Sequence, residues 1–215
     1  MKRSSNIKSP ILYKYSDSRW ADSIVRGEFK ISLLNEFQTM ENADLRDEKE
    51  GVIASILSGT YEFGPGKNEH IIKNLNSTGM FDIPLTASGI FGDIGFVQHA
   101  PPIYTLCFSL DISNQKMQSQ VGYDALFEIP DLVELAKEIT RRNVNYLGLP
   151  IGVGPVRYDQ RIFDLTRETP VMEPFLKRIE FADEKEFRFC WRALKTDPYF
   201  IANGPIPSGL VRRIR

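Results

Sequence analysis

Two carboxylates separated by a single residue, Glu184 and Glu186, stand where a charged turn runs into an alternating stretch, Ala182-Asp-Glu-Lys-Glu-Phe-Arg-Phe-Cys-Trp191. Strand side chains alternate with period two, so Phe187, Phe189 and Trp191 fall on one face and Glu186, Arg188 and Arg192 on the other. A carboxylate fixed at the start of a strand beside a cleft suits chemistry at a developing cation, because it is already in place when the charge appears. An acidic residue on a solvated strand face fits the same pattern. Glu184 shares the parity of Glu186 but falls in the turn, where a side chain is less firmly held.

Other polar faces come from two further strands. Ile11 to Tyr15 reads as a short strand with Tyr13 and Tyr15 on one face, and Lys14 with Leu12 and Ser16 on the other. Tyr104 to Ile112 is the clearest strand, with Tyr104, Leu106, Phe108, Leu110 and Ile112 inward and Thr105, Cys107, Ser109 and Asp111 opposite. Between them, Ser16, Asp17 or Ser18 caps a short helix with Trp20, Ile24 and Val25 as its apolar stripe, and Gly27 stops it. Phe29 to Leu33 is again a strand. Residues 34–51 read as a polar loop with one helical turn. Asp44, Arg46 and Asp47 are its recognition candidates, against the alternative of a solvated, salt-bridged surface. Gly51 to Leu57, open to strand or helix, leans to strand, and 60–102, punctuated by glycine and proline, reads as a loop-rich insertion with short strands. Tyr123 to Ile129 returns as a strand. Asp131 caps the clearest helix, Leu132 to Arg142, with Leu132, Leu135, Ala136 and Ile139 at helical spacing. Ile151 to Tyr158 is a glycine-interrupted strand.

The chain has 215 residues, 42% of them hydrophobic and 26% charged, with a net charge of −1. These values describe an ordinary globular domain, with residues 1–10 as a flexible basic tail and 11–215 as one α+β domain. No apolar run is long enough to span a bilayer and no signal core follows the basic N-terminus, so no membrane is expected and the cytoplasm is the default compartment. Cys107 and Cys190 lie in strand-like runs and read as reduced thiols. His70 and His99 are far apart without metal-ligand spacing, so no metal is expected. Dinucleotide and phosphate-loop glycine motifs are absent from the sequence.

Leu12-Tyr-Lys-Tyr-Ser16, Ser23-Ile-Val-Arg-Gly-Glu-Phe-Lys-Ile-Ser32 and Glu186-Phe-Arg-Phe189 together resemble the skeleton of the ADP-ribosyltransferase superfamily. The whole chain also resembles a family of small, largely uncharacterised bacterial proteins with the Leu-Tyr-Lys-Tyr opening and the Glu-Lys-Glu-Phe-Arg ending. The first resemblance implies mixed and antiparallel sheets packed as a split β-sandwich with flanking helices. It implies NAD as substrate, cleaved at the nicotinamide-ribose bond, with ADP-ribose passed to a protein, nucleic-acid or small-molecule acceptor. Glu186 would be the catalytic carboxylate and Glu184 the acceptor-activating one. Lys14 and Ser16 would occupy the places of the family's histidine and serine or threonine, while Ser109 would orient the nicotinamide ribose and Tyr13, Tyr15 and Tyr123 would be stacking candidates. The chain departs from the pattern in carrying lysine at position 14 and no tyrosine just after the central strand. A toxin or phage-defence role, with a neutralising antitoxin protein as partner, follows by analogy. The alternative is a binding module of such a system that holds a nucleotide or partner without turning it over.

Overall fold

The computed structural model describes residues 10–38, 47, 50, 52–78, 80–119, 122–159, 162–167 and 173–215. The expected N-terminal tail, apart from Pro10, lies outside these residues, as do Asp44 and Arg46. In chain order the strands are β1 (Leu12–Ser16), β2 (Lys30–Leu33), β3 (Val52–Leu57), β4 (Tyr61–Phe63), β5 (Gly89–Phe91), β6 (Ile94–His99), β7 (Ile103–Ser109) and β8 (Ala125–Ile129). They continue as β9 (Leu147–Pro155), β10 (Arg157–Tyr158), β11 (Ile162–Asp164), β12 (Leu176–Lys177), β13 (Glu186–Ala193), β14 (Tyr199–Ile201) and β15 (Arg212–Arg213). The helices are α1 (Ala21–Val25), α2 (Glu69–Ser77), α3 (Gln115–Ser119) and α4 (Leu132–Arg142).

The architecture is α+β, dominated by one large antiparallel sheet. Eight strands form it: the path β14-β2-β7-β1-β8-β15, with β13 also paired to β7 and β9 paired to β13. Strand β7 is central, as its alternation predicts. On one side β13 pairs with it over seven positions, from Glu186 opposite Ser109 to Arg192 opposite Ile103. On the other side β1 touches it only at Tyr13 opposite Ser109, and β2 only at Ser32 opposite Thr105 and Leu33 opposite Tyr104. Leu106, Cys107 and Phe108 therefore have no strand partner on that side. The sheet is split there.

This register sorts the sheet into two chemically different faces. Phe187, Phe189 and Trp191 lie opposite Phe108, Leu106 and Tyr104, and all six are buried in the main core. Helix α4 covers that face with Leu132, Leu135, Ala136 and Ile139, and Asp131 caps it by accepting a hydrogen bond from the Glu134 backbone N–H. Burial of such side chains, each worth about 1.5–3 kcal/mol, gives the sheet its anchor. Trp191 is fully buried, and its indole N–H donates to the Thr140 hydroxyl at 2.8 Å. The other face carries Glu186, Arg188 and Cys190 opposite Ser109, Cys107 and Thr105. A smaller layer, including the 3₁₀ turn Leu34–Gln38 and the segment around Phe175, packs against part of it.

Three local expectations are corrected. The insertion at 60–102 contains α2, which buries Ile71, Ile72 and Leu75 and contributes to a second small core with Leu57 and Leu165. Its short helical spacing was outweighed by the surrounding glycines and prolines. Leu110 and Ile112 are exposed, because β7 ends at Ser109, whose hydroxyl accepts the Asp111 backbone N–H at 3.1 Å and turns the chain. Trp20 and Val25 are also exposed; Ala21 and Ile24 carry the buried stripe of α1.

Candidate functional site

A cavity of about 720 Å³ opens over the polar face at the split, with Tyr13, Lys14, Ser16, Ser109, Tyr123, Glu184 and Glu186 all in its lining. The register explains the convergence. Tyr13 and Glu186 both lie opposite Ser109 on β7, and Ser32 lies opposite Thr105 on the same face. Lys14 has the opposite parity, yet its ammonium reaches through the gap to donate to the Cys107 carbonyl oxygen at 3.0 Å. Phe29 and Phe108, edge-to-face with centroids 6.4 Å apart, line the apolar depth of the opening.

Glu186 sits in an ion network that local sequence pattern did not reveal. Arg188 donates to it with Nε at 2.7 Å from Oε1 and Nη2 at 3.0 Å from Oε2, and Lys177 Nζ lies 3.3 Å from Oε2. The same Lys177 ammonium lies 2.6 Å from Glu184 Oε2. Arg188 also grips Glu50, Nη1 to Oε1 at 2.9 Å and Nη2 to Oε2 at 3.2 Å, and donates to the Pro174 carbonyl oxygen at 2.8 Å. All five residues are buried. The solvated-face reading of Glu186 is therefore corrected. Arg188 thus bridges Glu50 and Glu186, and Lys177 bridges Glu184 and Glu186.

Burial works against the charge on Glu186, but the neighbouring Arg188 and Lys177 charges outweigh it and hold the carboxyl well below the usual range. Burial likewise opposes the Lys177 charge, and Glu186 and Glu184 overcome it and raise that amine. At Lys14 burial dominates and lowers the amine from its ordinary value, with Cys107 and Glu186 only partly offsetting it. Burial raises the Cys107 thiol and the Tyr123 phenol.

The backbone around the carboxylates is pinned. Glu186 N–H donates to the Tyr158 hydroxyl at 2.7 Å, and the Val156 N–H donates to the Glu186 carbonyl at 2.9 Å. The Ser109 hydroxyl donates to the Glu184 carbonyl at 3.2 Å, and Asn114 Nδ2 donates to the same oxygen at 2.9 Å. Lys185, at φ 47°, turns the chain between the two glutamates. Lys177 is placed by β12, which runs parallel to β10 with Tyr158 opposite Lys177.

The sequence candidates thus separate by role. Glu186, Glu184, Lys14, Ser109, Tyr13, Ser16 and Tyr123 meet at one cavity. Ser109 also clamps the turn that carries Glu184. Tyr15 lines the cavity but is buried, its hydroxyl 2.8 Å and 2.7 Å from the carbonyl oxygens of Asp111 and Ile112 and accepting the Asn114 N–H at 3.1 Å. Its hydroxyl pins the loop after β7. Asp47 is fully buried, accepts from Arg178 Nε at 3.0 Å and is not among the lining residues of the cavity, which corrects the solvated reading of that residue. Glu50, Lys177 and Tyr158 carried no local signal. Arg188 did, since it shares the parity of Glu186.

Among the described residues no group of His, Cys, Asp and Glu could hold a metal ion, and no helix is long and apolar enough to cross a membrane. Comparisons with protein-family models, with curated proteins and with solved structures found no match.

Proposed function

We propose that the cleft binds NAD and that the protein is a mono-ADP-ribosyltransferase. The observation that carries this reading is the convergence of Lys14, Ser109 and Glu186, from three different strands, on one cavity at a split in the sheet. The split between β1 and β2 supports an ADP-ribosyltransferase-like architecture, and about 720 Å³ is ample for a dinucleotide half buried in a cleft. The reading belongs to a cytoplasmic protein, since NAD is a cytoplasmic solute and Cys107 and Cys190 are free thiols.

In this mechanism the bond between nicotinamide N1 and ribose C1 breaks with its electron pair going to nicotinamide, which leaves neutral. The ribose becomes oxocarbenium-like. The ionised Glu186, held by Arg188, would accept from a ribose hydroxyl and oppose the positive charge. Lys14 would donate to the pyrophosphate. Glu184 would take the proton from the acceptor nucleophile as it bonds to C1.

One observation favours a second reading, a nucleotide-binding module without turnover: Arg188 and Lys177 together already compensate Glu186. The transferase reading requires NAD to bind. At high excess NAD should raise the melting temperature by ligand linkage, and an unchanged melting temperature would remove the transferase and the NAD-binding form of the module, leaving a module for another nucleotide.

A further inference from the structure

The mouth of the cleft carries two exposed aromatic rings that the chemistry above does not use. Trp20 is 60% exposed and Tyr199 is 47% exposed, and both line the cavity. A tryptophan left this open is unusual, because its large apolar body is normally covered. Its backbone is nevertheless rigidly set. Trp20 N–H donates to the Asp17 carbonyl at 3.0 Å, Asp17 accepts from the Arg19 backbone and guanidinium, and Ser18 donates twice to Asp124 at 2.7 Å.

In the same lining, Tyr199 is held by β14, where it lies opposite Ser32 of β2 and so on the cavity face. Lys30 Nζ stands 4.2 Å from the centre of its ring. Exposed aromatics on a hydrogen-bonded backbone present a surface for a flat partner, while Lys30 and Lys14 along the same cavity offer positive charge to an anion. A ligand with a planar ring at one end and phosphate at the other satisfies both.

We infer that Trp20 and Tyr199 form a nucleobase-stacking subsite at the mouth of the cleft, with Lys30 beside it for the adjoining phosphate. The inference rests on the cleft being a nucleotide site, but not on any bond being cleaved there. A base could come from a free nucleotide or from a single strand, and stacking does not depend on which.

The chain has two tryptophans, and Trp191 is fully buried, so ligand quenching of fluorescence reports on Trp20. AMP should quench it saturably, and ribose 5-phosphate, which has no base, should not quench it. Calorimetry should show AMP binding about tenfold weaker in both Trp20→Ala and Tyr199→Ala, the loss expected for one stacked base. An octathymidylate that quenches more tightly than AMP would support the subsite and identify a strand as the source of the base. Absence of binding by both probes, or variants that bind AMP as tightly as wild type, would overturn it. AMP binding without nicotinamide release from NAD would leave this subsite standing and remove the transferase reading. Nicotinamide release with a KM for NAD unchanged in both variants would do the reverse.

Discussion

Arg188 holds Glu186 with two arms of one guanidinium, Nε 2.7 Å from Oε1 and Nη2 3.0 Å from Oε2, two residues along the same face of β13. Its remaining nitrogen, Nη1, engages Glu50, so one buried cation anchors two buried carboxylates. Removing it takes the guanidinium from Glu50 and leaves Glu186 with Lys177 in place of two cations. Arg188→Ala should destabilise the fold by about 3–5 kcal/mol, the usual cost of leaving buried charge uncompensated. Urea unfolding checks this. Arg188→Lys should recover only part of the loss, because an ammonium lacks the planar fork.

The same network sets an acid limit. The Glu186 carboxyl is depressed in the folded protein, so the stability it supplies is fully present above the ordinary glutamate value and is lost as pH falls below it toward the folded value. The urea midpoint of the wild type should therefore drop from about pH 5 to pH 3, and that of Glu186→Gln should drop less steeply. Parallel declines would mean that other carboxylates carry the acid sensitivity.

Much of this arrangement was legible in the sequence. The alternation in Glu186-Phe-Arg-Phe-Cys-Trp191 reports a strand with one apolar face, and that face does pack on the core through Phe187, Phe189 and Trp191. What alternation cannot report is the burial of the opposite face. Glu50, Lys177 and Glu186 share one network because β12, paired with β10, brings Lys177 to Glu186 and because Glu50 meets Arg188. Glu50 lies 138 residues from Arg188 and Lys177 lies 9 residues from Glu186, spacings that carry no helix or strand period. The candidates at Lys14 and Ser109 were legible for the same reason as the strands that carry them. Lys14 reaches the cavity despite its parity through the gap that β1 and β2 leave beside Cys107, which the alternation of β1 alone does not encode.

Lys14 should act in binding rather than in the chemical step. Lys14→Ala is expected to raise the KM for NAD about tenfold with little change in kcat, the pattern of an interaction equal in ground and transition states. Burial lowers its amine, so affinity for NAD should begin to fall at a pH below the ordinary lysine range as the charge is lost. Initial-rate kinetics across alkaline pH, compared with Lys14→Arg, which stays charged, measure both effects.

Glu184 and Glu186 share Lys177 but differ in backbone setting, one in the turn and one on the strand. Glu184→Gln should preserve hydrolysis of NAD within about threefold and reduce label transfer to a lysate component by about a hundredfold, as expected for loss of a general base. Radiolabelled NAD with separation of free and macromolecular ADP-ribose distinguishes the two. Equal loss of both would assign Glu184 to holding Lys177 instead.

Nicotinamide release from NAD, measured with and without cell lysate, tests the central claim most directly. Wild type should release it, and Glu186→Gln should do so at least about a hundredfold more slowly while NAD still raises its melting temperature. Equal release by the two proteins, or none by wild type under either condition, would contradict the account.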